Sequence, residues 1–358
     1  MSSYKKLIQT PYNRISDITF SASVISTDWV TSGSTLNQSD YPALFAEVGL
    51  LSDAGKVWTY RGVGGGAYLN AVTYGNGKYV YGGNNGGLST STNAITWTSS
   101  TSGTASVINT ILYGNGLYVY GTTGGGLATS TNAITWTSRT SGTISSISAL
   151  TYGNGLYVYG GAGGALATST DAITWTAIDA GNITTFNSVI YGNSKYVCAG
   201  VGGTIFSSVN GITWGFGDSG ITDTIFSMVY GNGLYVYGGF GGVLASSTDA
   251  VTWTSRTSNT TSSINTISYG NGLYIYGGQG GALATSTNVI NWTTRTSGTI
   301  SDIFNMTYGN DKYVYVGNLG IYLGTSDKYN YDSATQFIVP TTNSVLSNLT
   351  SNSYIKGK

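Results

Sequence analysis

Three aspartates and a phenylalanine stand where an otherwise regular sequence changes its wording: Asp179 in the stretch 177–182, then Phe216, Asp218 and Asp223 in 215–223. Carboxylates beside an aromatic ring can orient sugar hydroxyls, hold a cation or meet a partner subunit, and loops on a rigid scaffold are where such contacts concentrate. Catalysis asks for more than this chain offers. It has no histidine, which removes Ser-His-Asp and Cys-His arrangements, His-ligated metal sites and the usual carrier of a switch near neutral pH. Glu47 is the only glutamate, so the carboxylate pair of a glycosidase would have to come from aspartates. Arg61, Arg139, Arg256 and Arg295 each follow a tryptophan by three residues. Equivalent positions are spread around a repeated architecture, so these arginines do not converge on one ligand carboxylate. We expect a protein that is not an enzyme, with no catalytic residues, no metal and no cofactor.

Charge narrows the partners. Fourteen basic and fourteen acidic residues leave a net charge of zero, without the basic stripe that nucleic acid requires. No run approaches the ~18 apolar residues of a membrane span, so no membrane insertion is expected. The opening Met1-Ser2-Ser3-Tyr4-Lys5-Lys6 leads into polar sequence and not into an apolar signal core. The lone Cys198 has no internal disulfide partner, which fits assembly in a reducing cytoplasm. Only 8% of residues are charged while 13% are aromatic, so the chain should fold and not remain disordered.

The elements that position these residues are read from a repeat. Tyr-Gly-Asn begins at Tyr74, Tyr113, Tyr152, Tyr191, Tyr230, Tyr269 and Tyr308, every step being 39 residues. Tryptophan keeps that step at Trp58, Trp97, Trp136, Trp175, Trp214, Trp253 and Trp292. In the third unit, 147–152 reads as a strand, Gly153-Asn154-Gly155 as a turn and 156–160 as a second strand; 165–169 and 173–176 complete four. The Gly163-Gly164 pair joins two strands and precedes no helix, so it reads as a hairpin turn and not a phosphate cradle. Four short antiparallel strands per ~40 residues is the unit of a β-propeller blade. The expected fold is therefore all-β, a seven-bladed β-propeller. Residues around Trp58 lack three strands of their own, so they should complete the last blade and join the two ends of the ring, hiding edges that invite aggregation. The tryptophans could form equivalent sugar-stacking platforms; filling the space between blades explains every copy without a ligand. Cys198 takes a place held by Tyr in the other units and reads as a small core residue.

Two resemblances add to this. An Asx stands four places before the tryptophan position at Asn93, Asn132, Asp171, Asn210, Asp249, Asn288 and Asp327, the last before Tyr331, as in Ser208-Val209-Asn210-Gly211-Ile212-Thr213-Trp214. The segment resembles the Asp-box turn of sialidase-type propellers, one residue shorter and with Ala replacing Gly in most copies. That resemblance implies a structural turn and says nothing of activity. Nearer the start, Asp28-Trp29 through Gly33-Ser34 to Asp40-Tyr41-Pro42-Ala43-Leu44-Phe45-Ala46 and Gly49 is similar to the tail-collar motif of bacteriophage tail fibres. It implies a virion component in which Trp29, Tyr41, Pro42, Leu44 and Phe45 belong to the attachment segment, with Ser39 and Gly49 bounding a short helix.

The expected organisation is thus an attachment segment at 1–51, the propeller at 52–332 and a polar tail at 333–358. The expected function is a virion tail or fibre protein whose propeller displays a host-surface contact, with Asp179, Phe216, Asp218 and Asp223 as the candidate patch. Its partners would be other virion tail proteins and a host-surface glycan, in a homo-oligomer for which the fibre resemblance suggests a trimer. The alternatives are a purely structural virion part and a glycan-cleaving, sialidase-like enzyme.

Overall fold

The computed structural model describes residues 68–181, 184–310 and 312–318, together with strands at 5–6, 35–37, 58–61, 320–324, 336–338 and 354–355. Two units are present, Trp58–Thr325 and one that joins Met1–Val57 to Ser326–Lys358. In the second unit, Thr35–Asn37 pairs antiparallel with Gln336–Ile338, and Lys5–Lys6 with Tyr354–Ile355. The two ends of the chain therefore share one unit, although they read as separate segments in the sequence. The attachment residues Trp29, Tyr41, Pro42, Leu44 and Phe45, and the expected helix that carries most of them, lie outside the described residues.

The larger unit is a β-propeller built from four-stranded antiparallel sheets. Six of these blades use consecutive strands: blade 1 at 69–99, blade 2 at 108–139, blade 3 at 147–177, blade 4 at 186–218, blade 5 at 225–255 and blade 6 at 264–294. A further four-stranded sheet takes Ile303–Gly309, Lys312–Gly317 and Gly320–Gly324 from one end of the unit and Trp58–Arg61 from the other. Trp58 pairs with Gly324 and Arg61 with Ile321.

Blade 3 shows why this sequence makes this unit. Its inner strand Ile147–Gly153 turns at Asn154 (φ 47°) and Gly155 (φ 77°) into Leu156–Gly161. Two successive left-handed residues give the turn that matches strand twist. Leu166–Ser169 and Thr176–Ala177 follow. The fourth strand is shorter than 173–176 would suggest, and it starts later. The Asp171 carboxylate accepts the N–H groups of Ile173 and Thr174 at 2.8 and 2.9 Å, so those residues serve the turn and the ladder begins at Thr176.

Burial is alternate and complete. Tyr157 and Tyr159 point to one side of the second strand and Val158 to the other, and all three are buried. Blade contacts are sealed by a repeated bond. Tyr157 donates its hydroxyl to the Gly114 carbonyl of blade 2 at 2.6 Å, and Tyr118 and Tyr235 do the same to Gly75 and Gly192 at 2.5 Å. The same bond joins Tyr79 of blade 1 to Gly309 of the further sheet. Asn305 of that sheet also accepts the Val72 N–H at 3.2 Å. The further sheet thus meets blade 1 through the bond that joins one blade to the next. Each Tyr-Gly glycine is required by close approach: a Cβ on Gly153 would lie 2.1 Å from the Tyr191 ring of the next blade.

Candidate functional site

The repeat supplies its own control, because a residue in one blade can be compared with its equivalents 39 positions away. In blade 3, Tyr159 on the second strand pairs across to Ala167 on the third. The Tyr159 ring stacks against Trp175 at 5.0 Å and its hydroxyl donates to the Ser141 carbonyl at 2.8 Å. Blades 2, 5 and 6 repeat this with Tyr120, Tyr237 and Tyr276, each donating to a loop serine carbonyl at 2.7–2.8 Å.

Blade 4 breaks the pattern. Cys198 replaces the tyrosine and pairs across to Phe206, which replaces the alanine. A small side chain and a large one have exchanged places, which keeps core volume in the way that densely packed interiors tolerate best. Burial pushes the Cys198 thiol well above its ordinary range, so it stays protonated and acts as an apolar filler. Phe206 carries the change outward. Its ring meets Phe186 edge to face at 5.9 Å on one side and Phe216 at 5.5 Å on the other. The three rings run from full burial at Phe186 to 73% exposure at Phe216. The positions equivalent to Phe216 hold Ser99, Ser138, Ala177, Ser255 and Thr294 in the other five blades of consecutive strands, and Tyr60 on the strand Trp58–Arg61. The strand that carries Phe216, Gly215–Asp218, has four residues where blades 1, 3, 5 and 6 have two.

The expected aspartates do not form one cluster. Asp179 and Asp218 occupy equivalent corners of successive blades, and each accepts one backbone N–H at 2.8 Å, from Gly181 and Gly220. Both are turn-closing carboxylates with room for further contacts. Asp218 shares a side of its strand with Phe216, two residues away. Asp223 is exposed on the loop that follows. The loop before blade 4 is held differently from those before blades 2, 3, 5 and 6, because Cys198 and Ala180 replace the tyrosine donor and the serine whose carbonyl accepts it.

Two further residues join this sector through neighbours distant in sequence. Val201 and Phe240 sit in the turns between the second and third strands of blades 4 and 5, 43% and 58% exposed. The loop 218–224 runs between those turns. Gly203 backs onto the Ile221 carbonyl, where a Cβ would approach to 2.1 Å, and the Phe240 N–H donates to the Thr224 carbonyl at 2.9 Å. Asn84, Thr123, Ala162, Gln279 and Asn318 are their equivalents elsewhere. That departure was readable in the sequence, but only by comparing the copies column by column.

The arginines remain separate. Arg139, Arg256 and Arg295 each donate from Nε to a hydroxyl of their own blade, Thr129, Ser246 and Thr285, at 2.9 Å. Trp97, Trp136, Trp175 and Trp253 are half-buried and Trp292 is buried against second-strand tyrosines, and Trp214 is half-buried against the Cys198 and Phe206 cluster. Among the described residues, no group of three Cys, Asp or Glu side chains is placed to hold a metal ion, and no helix is long and apolar enough to cross a membrane.

No family model and no curated protein matches the chain. Solved structures do. The chain is similar to YCF48 bound to D1 peptide, at 16% identity and a TM-score of 0.64, covering 75% of this chain and 95% of that one. It is also similar to a catalytically inactive variant of virginiamycin B lyase from Staphylococcus aureus with quinupristin, at 11% identity and a TM-score of 0.68, covering 75% and 98%. The WD40 propeller domain of Doa1 aligns at 11% identity and a TM-score of 0.62, covering 77% and 100%. At these identities the likeness concerns the propeller fold alone.

Proposed function

We propose that the protein is a non-enzymatic recognition component of a bacteriophage virion. In this reading, the collar-like segment at 28–49 joins it to other tail proteins, and a closed seven-bladed ring presents the blade-4 sector to a neutral host-surface glycan. The observation that carries the reading is Phe216: a large aromatic face, supported from beneath by Phe206, at a position where blades 1, 2, 3, 5 and 6 carry small residues. A phenyl face suits the C–H face of a sugar ring, and Asp218 on the same side of the strand can accept a sugar hydroxyl. One such contact is weak, and homo-oligomerisation would raise it by avidity without new contacts. The fold neighbour that carries a D1 peptide shows a propeller used as a binding scaffold; it does not supply the ligand.

The test is binding of the full, fluorescently labelled chain to a panel of bacterial surface polysaccharides. The expected result is saturable binding that Phe216→Ser with Asp218→Thr removes, with Tm unchanged, since those residues stand at the equivalent places in blade 2 (Ser138 and Thr140). Undiminished binding by that variant would overturn the assignment of the site. Release of oligosaccharides from the panel would overturn the non-enzymatic reading.

A further inference from the structure

The saddle formed by the loop 218–224 and the turns at Val201 and Phe240 adjoins the glycan platform and shares only Asp218 with it. We infer that it docks a protein segment presenting lysine or arginine between aliphatic side chains. Composition, contiguity, exposure and charge converge on it. At Val201, Ile221, Asp223 and Phe240 the sequence carries apolar or acidic residues where the other copies of the repeat carry mostly Thr, Ser, Asn or Gln. The changes are contiguous in space, because the Ile221 carbonyl lies against Gly203 of one turn and the Thr224 carbonyl accepts the Phe240 N–H of the other. They contribute little to the core, Phe240 being 58% exposed and Val201 43% exposed, and grouped apolar exposure, unlike a single exposed side chain, marks a contact surface.

Charge then selects the occupant. Asp223 and Asp218 flank the apolar residues, and the arginine column found in blades 2, 5 and 6 is Ile178 in blade 3 and Gly217 in blade 4. The described lysines of the propeller unit, Lys78, Lys195 and Lys312, start second strands at the opposite ends of their blades, donating to the carbonyls of Asn132, Asp249 and Asn93. Arg256 of blade 5 is engaged within its own blade, its Nε donating to Ser246 at 2.9 Å, and the saddle carries apolar residues with Asp218 and Asp223. A segment alternating aliphatic and basic side chains complements both properties, with the apolar contacts supplying affinity and the carboxylates orientation and rate.

The experiment titrates the full chain with a fluorescein-labelled nonapeptide bearing two lysines among leucines and valines. Controls replace its lysines by glutamate, or its aliphatics by serine. Saturable binding of the lysine peptide is expected, weaker at high salt. It should fall about tenfold or more in Phe240→Asn, and again in Asp223→Ser. Both substitutions copy residues that other blades carry at those places, so folding is retained; unchanged Tm verifies this. Equal binding of the glutamate peptide, or full binding by both variants, overturns the inference. So does loss of polysaccharide binding in Phe240→Asn with no effect on the peptide, which would make the saddle part of the glycan site. Phe216-dependent glycan binding is read separately, so either conclusion can fail without the other.

Discussion

Blades 3 and 4 are built on the same ladder and solve one packing problem in two ways. Blade 3 places Tyr159 opposite Ala167; blade 4 places Cys198 opposite Phe206. The tyrosine solution anchors a loop, because its hydroxyl reaches the Ser141 carbonyl. The phenylalanine solution gives up that anchor and gains an aromatic column that surfaces at Phe216. Volume is what the ladder demands, and polarity is what each blade is free to choose. A repeat protein can therefore acquire a site by moving bulk from one strand to the next without altering its framework.

The largest expected effect tests the exchange directly. Phe206→Ala should destabilise by about 3–5 kcal/mol, since it empties a buried site already lacking the tyrosine. The reciprocal overpacking, Ala167→Phe in blade 3, should cost about 1–3 kcal/mol. If bulk is interchangeable, Cys198→Tyr combined with Phe206→Ala recovers most of the loss, and a double-mutant cycle by denaturant unfolding measures the coupling.

Next comes the bond that seals blades to one another. Tyr157→Phe leaves the Gly114 carbonyl buried without its donor and should cost about 1–3 kcal/mol by the same measurement. Tyr196→Phe in blade 4 should cost a similar amount, because the seal to Gly153 is common to both blades.

Alkaline titration separates the blades by a smaller margin. Burial pushes the hydroxyls of Tyr157 and Tyr159 in blade 3, and of Tyr196 in blade 4, up to about 12, with neighbouring tyrosines adding to the effect at Tyr157 and Tyr196. In the unfolded chain these groups ionise near ~10. Between those values the folded state holds protons that the unfolded state has released, so stability falls as pH rises from about 10 to about 12. Tm measured across that range should drop, and in the Cys198→Tyr, Phe206→Ala protein, where a buried hydroxyl takes the place of the buried thiol, the drop should begin about one pH unit higher than in the parent.

The smallest effect is local. The Asp171 carboxylate of blade 3 is held below its ordinary range by the Thr174 and Ile173 N–H groups and the Ser169 hydroxyl, and the same set of bonds takes Asp249 of blade 5 down to about 2. Their contribution is present above the unfolded value near ~4 and is lost as pH falls through the depressed one. Asn210 makes the blade-4 turn with an uncharged side chain. Amide NMR shifts of Ile173 and Thr174 should move on acidification while those of Ile212 and Thr213 stay in place.

Much of the scaffold was legible because the repeat never slips: a fixed step of 39 residues locates the strands, the Asn-Gly turns and the Trp58 strand. The start of each fourth strand was not, since an Asx side chain competing for Ile173 and Thr174 cannot be weighed against a ladder from residue types alone. Phe216, Asp218 and Asp223 were visible as breaks in a pattern. Phe206 and Cys198 were not visible as partners, because two substitutions eight residues apart look like independent drift until the strands lie opposite. Val201 and Phe240 escaped for the same reason, being brought to the 218–224 loop only by the closeness of neighbouring blades.

The pairing of Trp58–Arg61 with Gly320–Gly324 bears on how the chain is made. A linear stack of repeats can be completed unit by unit and can fray from either end. Here the pairing joins residues as far apart as Trp58 and Gly324, so the growing polypeptide carries an unmatched strand at Trp58–Arg61 until Gly320–Gly324 has left the ribosome. Long-range contacts of this kind slow folding and bind the units into one cooperative event. A premature stop anywhere before Gly320 would leave an open edge and a strand with nowhere to go.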